Sequence, residues 1–130
     1  MILLDTHVII WLMIAPERLS FRARGAILQS RISGEKLGYS PVSLHEIANA
    51  ARRKRLILDV TIQEFIAAIQ AKLELIPLTA EIAICAAGLP DPFHSDPMDR
   101  IITATAIVGD CVLITHDDRI RKANVCKAVW

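Results

Sequence analysis

Short apolar runs alternate along the chain with longer stretches in which apolar residues recur at helical spacing. Ile2–Leu4, Leu37–Tyr39, residues 75–76, Val112–Ile114 and residues 125–129 have the length and aliphatic content of buried strands. The segments between them are long enough for helices, and a βα alternation of this kind predicts a parallel α/β sheet with helices on its faces. Helix starts are signposted. Ser43…Glu46 and Thr61…Glu64 have the spacing of capping boxes. In Asp96-Pro97-Met98-Asp99, Asp96 is placed to cap, Pro97 to take the first helical position and Asp99 to face the positive helix end. That helix is expected to run through Ile101, Ile102, Thr105 and Val108, while the helix begun at Ser43 closes on Arg52-Arg53-Lys54-Arg55. Residues 88–95, with Gly88, Pro90 and Pro92, form the one long irregular connection and lead into Asp96.

At 130 residues the chain is expected to form one domain spanning 1–130, with 53% hydrophobic residues to fill its core and some surplus for an interface. Fifteen Lys+Arg against fourteen Asp+Glu give a net charge of +1, so any nucleic-acid affinity must come from a local basic patch. The longest apolar run, residues 8–15, is too short to span a bilayer, and Asp5 interrupts the amino-terminal run too early for a secretory signal. A cytoplasmic protein without a membrane partner is expected. Cys85, Cys111 and Cys126 are odd in number and have no Cys-x-x-Cys spacing, which reads as small core residues in a reducing compartment.

Ligands of an open parallel sheet sit beyond the carboxyl ends of its strands. Asp5 follows the first strand, Glu46 lies early in the helix after the second, Asp99 opens the helix before the fourth, and Asp117 follows the fourth. Four ionised carboxylates about 5 Å apart would repel by on the order of 20 kcal/mol at an effective dielectric of roughly 20. That exceeds a typical folding stability of about 5–15 kcal/mol. A gathered cluster must therefore protonate in part or bind hard cations, for which oxygen ligands suit Mg²⁺ or Mn²⁺. Such a centre can activate water for displacement at phosphorus, which points to a nuclease.

Three of the acids also have plainer readings, Glu46 as a partner of the Ser43 cap, Asp99 of the helix dipole and Asp96 as a cap, whereas Asp5, ending an apolar strand, is poorly placed for burial unless something binds it. Asp118 could cap in place of Asp117. Thr6, Asp96 and Thr115 stand where they could orient the ligands or a water molecule. His7, His45, His94 and His116 each lie near one of the acids, but neighbours on a helix point about 100° apart, so surface or supporting roles are expected of them. Arg100, Arg119 and Arg121 are placed by position to meet RNA phosphates, and Arg52 and Arg53 are further candidates. With few aromatic residues, base stacking is not expected as the main mode of recognition, and Trp11 and Trp130 read as buried or interfacial.

The ordered segments Leu3-Leu4-Asp5-Thr6-His7, Ser43-Leu44-His45-Glu46-Ile47-Ala48, Asp96-Pro97-Met98-Asp99-Arg100 and Ile114-Thr115-His116-Asp117 resemble the signature of PIN-domain ribonucleases. The resemblance is strongest to the toxins of VapBC toxin–antitoxin pairs. It extends to Leu78-Thr79-Ala80-Glu81-Ile82-Ala83 and the terminal Val129-Trp130. It implies a three-layer fold with a parallel sheet of four to five strands between helices. It further implies that Asp5, Glu46, Asp99 and Asp117 hold Mg²⁺ or Mn²⁺; on that mapping we expect Asp5 and Asp99 as principal ligands, with Glu46 and Asp117 completing the set or orienting the attacking water. RNA cleavage by metal-activated water, a homodimer, and inhibition by a cognate antitoxin complete what it implies. His45 departs from the pattern, since a bulky aromatic residue frequently precedes the glutamate in similar sequences.

Two other classes compete. A phosphoacceptor signalling domain has a similar length and an acidic Mg²⁺ pocket, but it needs an acidic pair after its first strand and a lysine after its last, and neither is evident. A catalytically weak PIN-fold module that only docks an antitoxin would not need all four acids.

Overall fold

The computed structural model describes residues 1–90 and 96–130. The predicted strands form at β1 (Ile2–Leu4), β2 (Leu37–Tyr39), β3 (Glu74–Leu75), β4 (Val112–Ile114) and β5 (Ala128–Val129). β3 starts one residue earlier than expected, and β5 is confined to the end of the expected segment. All pairings are parallel, in the order β3-β2-β1-β4-β5, and the register joins Ile2 to Leu37 on one side and to Val112 on the other.

Helices among the described residues are α1 (Thr6–Ile14), α2 (Phe21–Ser33), α3 (Pro41–Arg52), α4 (Ile62–Lys72), α5 (Ala80–Ala87), α6 (Pro97–Val108) and α7 (Asp118–Ala123). Strand residues alternate between faces, so Ile2 and Leu4 join a core with residues of α1, α2, α3 and α4, while Leu3 and Leu113 pack with Ile102, Ala106 and Ile120 of α6 and α7. This is the three-layer α/β arrangement expected from the alternation of elements.

Two expectations at helix starts hold: Thr61 Oγ1 accepts from Glu64 N at 3.1 Å, and Asp96 Oδ1 from Met98 N at 2.9 Å, with Pro97 in the first turn of α6. The third is corrected. Ser43 does not cap α3; Ser40 does, accepting from Val42 N, with Pro41 opening the helix. Ser43 is fully buried inside the first turn, and Glu46 is thereby released from a capping role. Helix ends follow backbone rules: α2 stops at Gly34 with φ 75°, a left-handed conformation that glycine adopts without cost. Gly38 in β2 serves closeness instead, because a Cβ there would meet Ile76 Cδ1 at 2.7 Å and Met1 Sδ at 2.8 Å.

From β1 the chain steps outward to β2 and β3, then returns to the other side of β1 as β4 and β5. The strand order therefore reverses between β1 and β4, and the crevice beyond their carboxyl ends is where an open sheet binds ligands.

Candidate active site

Asp5 and Asp117 are delivered to that crevice by the ends of the two central strands, Glu46 by α3 and Asp99 by the first turn of α6. Together with Asp96 they line a cleft of about 570 Å³. The four expected acids thus share one cavity. They are spread around its wall, however: among the described residues no three His, Cys, Asp or Glu side chains converge tightly enough to enclose a metal ion.

Asp5 is 5% exposed and is held on both oxygens. Its Oδ1 accepts from Thr6 N at 2.8 Å and its Oδ2 from Thr115 Oγ1 at 2.6 Å. It also caps α1, a role that its place in the sequence did not announce. Thr115 Oγ1 accepts in turn from Asp117 N at 3.0 Å, so one hydroxyl ties the β1 carboxylate to the turn after β4. On the opposite wall Thr6 Oγ1 lies 2.6 Å from Glu46 Oε1 and 3.0 Å from Ser43 Oγ. A hydroxyl has one proton, so Thr6 gives it to the carboxylate and accepts from Ser43. Asp117 caps α7 through Arg119 N at 2.8 Å, which resolves the choice between Asp117 and Asp118.

Burial shapes the charge of the site. It pushes the Asp5 carboxyl above the usual carboxylate range, against the pull of the Thr115 and Thr6 hydrogen bonds. Burial also raises Glu46, opposed by Thr6 and reinforced by the charges of Asp5 and Asp96. At Asp99 the largest contributions all act in one direction. Burial and then the charges of Asp5, Asp96, Glu46 and Asp117 push its carboxyl up to about 7. Near neutral pH this pocket holds a proton or welcomes a cation. His7 and His116 also line the cleft, but most of its donors are carboxylate and hydroxyl oxygens, which suit a hard dication such as Mg²⁺ or Mn²⁺ better than a soft metal.

The arginines divide differently from expectation. Arg119 lines the acidic cleft, with its Nε 3.6 Å from Asp117 Oδ1. The Arg100 guanidinium donates to Ala86 O at 3.0 Å, Leu89 O at 2.8 Å and Ala87 O at 3.4 Å, at the carboxyl end of α5. Arg121 pairs with Asp118 one turn earlier on α7. Arg52 lies along a separate apolar groove with Ile57 and Val60. Of the five arginines, only Arg119 lines the acidic cleft itself.

Arg53 lines a second hollow of about 460 Å³, which adjoins the acidic cleft and shares Thr6, His7, Trp11, Arg18 and Glu46 with its wall. Arg55, of the same basic cluster, also lines this hollow, as does Arg18, which was not anticipated. The Arg18 guanidinium sits over the Trp11 ring at 4.7 Å from its centroid. Trp11 is buried, as expected, and meets His116 edge-on at 5.4 Å and Trp130 at 5.5 Å. His7 lies 5.8 Å from Trp11, His45 is exposed on α3, and His94 falls outside the described residues. The three cysteines are unpaired. Among the described residues no helix is long and apolar enough to cross a membrane.

The PIN-domain family model matches residues 2–125. Ribonuclease VapC22 of Mycobacterium tuberculosis (strain ATCC 25618 / H37Rv) is 33% identical over 120 residues, covering 92% of this chain and 89% of that protein. Among solved structures, VapBC2 from Rickettsia felis bound to a DNA fragment from their promoter matches with a TM-score of 0.72 at 14% identity, over 99% of this chain and 98% of that one. A toxin–antitoxin complex from Klebsiella pneumoniae matches with a TM-score of 0.68 at 21% identity, over 100% of this chain and 97% of that one. At those identities the structures speak for the fold alone, whereas the family model and the ribonuclease cover nearly the whole sequence. The chain belongs to the PIN-domain family, and within it to the VapC ribonucleases.

Proposed function

We propose that this chain is a Mg²⁺- or Mn²⁺-dependent endoribonuclease that acts in the cytoplasm as the toxin of a toxin–antitoxin pair. The observation that carries the metal dependence is the carboxylate cleft in which Asp99 is pushed up to about 7 by burial and four neighbouring acids. Asp5 and Asp99 are the principal ligands in this reading, and Glu46 and Asp117 complete the set or orient the attacking water. A bound divalent ion supplies activation of a water nucleophile and neutralises charge at the phosphate.

The chain's own residues do the positioning. Thr115 and the Thr6 amide fix the Asp5 carboxylate, and Thr6 Oγ1 fixes Glu46, so two walls of the cleft are aimed before substrate arrives. Asp96 holds the first turn of α6 and with it Asp99.

An antitoxin partner is supported by the relatives, two of which are described as toxin–antitoxin or VapBC assemblies. Exposed apolar side chains give this chain faces to bury against a second protein or a second copy: Phe21, Leu28 and Ile32 on α2, and Ile84 on α5. In this reading residues 1–130 act as one PIN domain and assemble as a homodimer.

The test is cleavage of RNA by the purified chain in Mg²⁺, in excess chelator, and as Asp99→Asn. Cleavage in Mg²⁺ alone, lost in the other two, supports the reading; equal cleavage in chelator or full activity of the variant overturns the metal mechanism. Growth arrest on expression, relieved by the product of an adjoining small gene, supports the toxin role. An inert chain that still binds that product would favour the docking module instead.

A further inference from the structure

The cleft has two limbs of opposite charge, and only the acidic one is used by the proposed chemistry. We infer that Arg18, Arg53 and Arg55 form a phosphate-gripping limb that holds the RNA strand beside the cleavage point. This inference rests on the ribonuclease reading and names the residues that would carry substrate binding.

The two hollows, of about 570 and 460 Å³, lie side by side and share His7, Trp11 and Arg18 as wall residues. Each falls in the range of about 300–1,000 Å³ that takes a small ligand. Hollows of this size admit a single strand turning along the wall, whereas a duplex would remain on the surface. A strand whose reacting phosphate sits among Asp5, Glu46 and Asp99 must place a neighbouring phosphate along that wall. The cations there are Arg18, shared by both limbs, and Arg53 and Arg55 of the second limb.

Arg18 is also directed. Stacking on the Trp11 ring restricts its guanidinium, and Trp11 is itself packed against His116 and Trp130. A planar, pre-aimed guanidinium suits a phosphate better than a mobile ammonium does. Arg53 and Arg55 follow α3 directly and are exposed, so their charges can be removed without opening the core. With a net charge of only +1, the chain has no global attraction for RNA, and a local limb of this kind must supply it.

The experiment is a salt titration of binding between the full chain and a fluorescein-labelled, single-stranded 2′-O-methyl oligouridine of about 12 nucleotides, a length within the site sizes of strand-binding proteins. Each reaction contains Mg²⁺, and the probe is checked intact by gel afterwards. On a single strand, the slope of log affinity against log salt falls by about 0.7 for each phosphate that the protein no longer neutralises. Arg53→Ala/Arg55→Ala is expected to lower the slope by about 1.4 and to raise KM for a cleaved RNA roughly 10-fold, with kcat within about twofold of wild type. Arg18→Lys keeps the charge and is expected to keep the slope while weakening binding; Arg18→Ala loses both. Arg22→Ala/Arg24→Ala, on exposed positions of α2, is the charge control and should leave the slope unchanged.

Unfolding midpoints are measured for every variant. If the alanine pair is destabilised, Arg53→Gln/Arg55→Gln is read in its place. Wild type that cleaves RNA while the paired variants keep its slope, or a control pair that lowers the slope equally, overturns this inference alone. Wild type that neither cleaves nor binds RNA overturns the ribonuclease reading as well.

Discussion

Asp5 and Asp99 face the same cleft but are held in opposite ways. Asp5 ends a central strand and accepts hydrogen bonds on both oxygens, from the Thr6 amide and the Thr115 hydroxyl, which offset part of the cost of burying it. Asp99 enters on the first turn of α6, where burial and the charges of Asp5, Asp96, Glu46 and Asp117 all oppose its ionisation. The strand side of the cleft is therefore a rigid half whose geometry is built in. The helix side is a half whose charge is undecided near neutral pH, and there a proton and a divalent ion compete.

The largest effect that separates the halves is in the sign of stability changes among variants that all lose activity. Asp5→Asn, Asp5→Ala and Asp99→Asn should each reduce Mg²⁺-dependent RNA cleavage by roughly 100-fold or more, the scale of losing a group that stabilises developing charge. In metal-free buffer near pH 8, Asp99→Asn should raise unfolding free energy by about 2 kcal/mol, a figure discounted for solvent screening. Asp5→Ala should lower it by about 1–3 kcal/mol, because it leaves the Thr115 hydroxyl and the first amide of α1 without their partner. Urea unfolding checks both, and stability changes of the same sign would collapse the distinction.

A smaller effect follows from pH. A carboxyl whose folded pKa exceeds its unfolded one binds its proton more tightly in the native state, so its stabilising contribution is complete at low pH and is lost on alkalinisation. For Asp99 the window runs from the ordinary 3.8 to about 7. The metal-free protein should lose stability as pH rises across that window, and Asp99→Asn should flatten the decline. Metal-free urea curves at several pH values give the slope.

Smaller again, Thr115→Val removes the donor to Asp5 and the acceptor for Asp117 N, at about 1–2 kcal/mol of stability, with a partial loss of kcat. Arg100→Ala should be mildest, about 1 kcal/mol, since its guanidinium serves the carbonyls at the end of α5. Its RNA salt slope should match wild type; a fall would return Arg100 to the substrate surface.

The central strands were readable in the sequence because β1, β2 and β4 are short apolar triplets covered by neighbouring elements, and burial of that kind leaves a local mark. α1 left none: it is apolar nearly all round, so no polar face announces a helix, and its cap is the acid that the cleft also uses. Ser43 shows the limit of capping signatures. The Ser-x-x-Glu spacing also occurs inside a helix, and the true start, Ser40-Pro41, carried the stronger cue of proline at the first position. Asp5 and Asp117 were placed by strand ends, and Glu46 and Asp99 by the first turns of helices next to strands, positions that topology reveals from local sequence. Side-chain direction is not so local, which is why Arg18 went unnoticed and why sequence alone did not show that Arg100 meets the α5 carbonyls or that Arg121 pairs with Asp118.

The measurement that bears most directly on the carboxylate cleft is the unfolding midpoint titrated with MgCl₂ near pH 8 and again near pH 5, for wild type and Asp99→Asn. A site that relieves repulsion on binding should stabilise wild type by about 2.7 kcal/mol at a hundred times its dissociation constant. Most of that gain should vanish at the lower pH, where Asp99 carries its proton, and in the variant at either pH. A wild-type midpoint indifferent to Mg²⁺, or an equal rise in Asp99→Asn, would contradict the account.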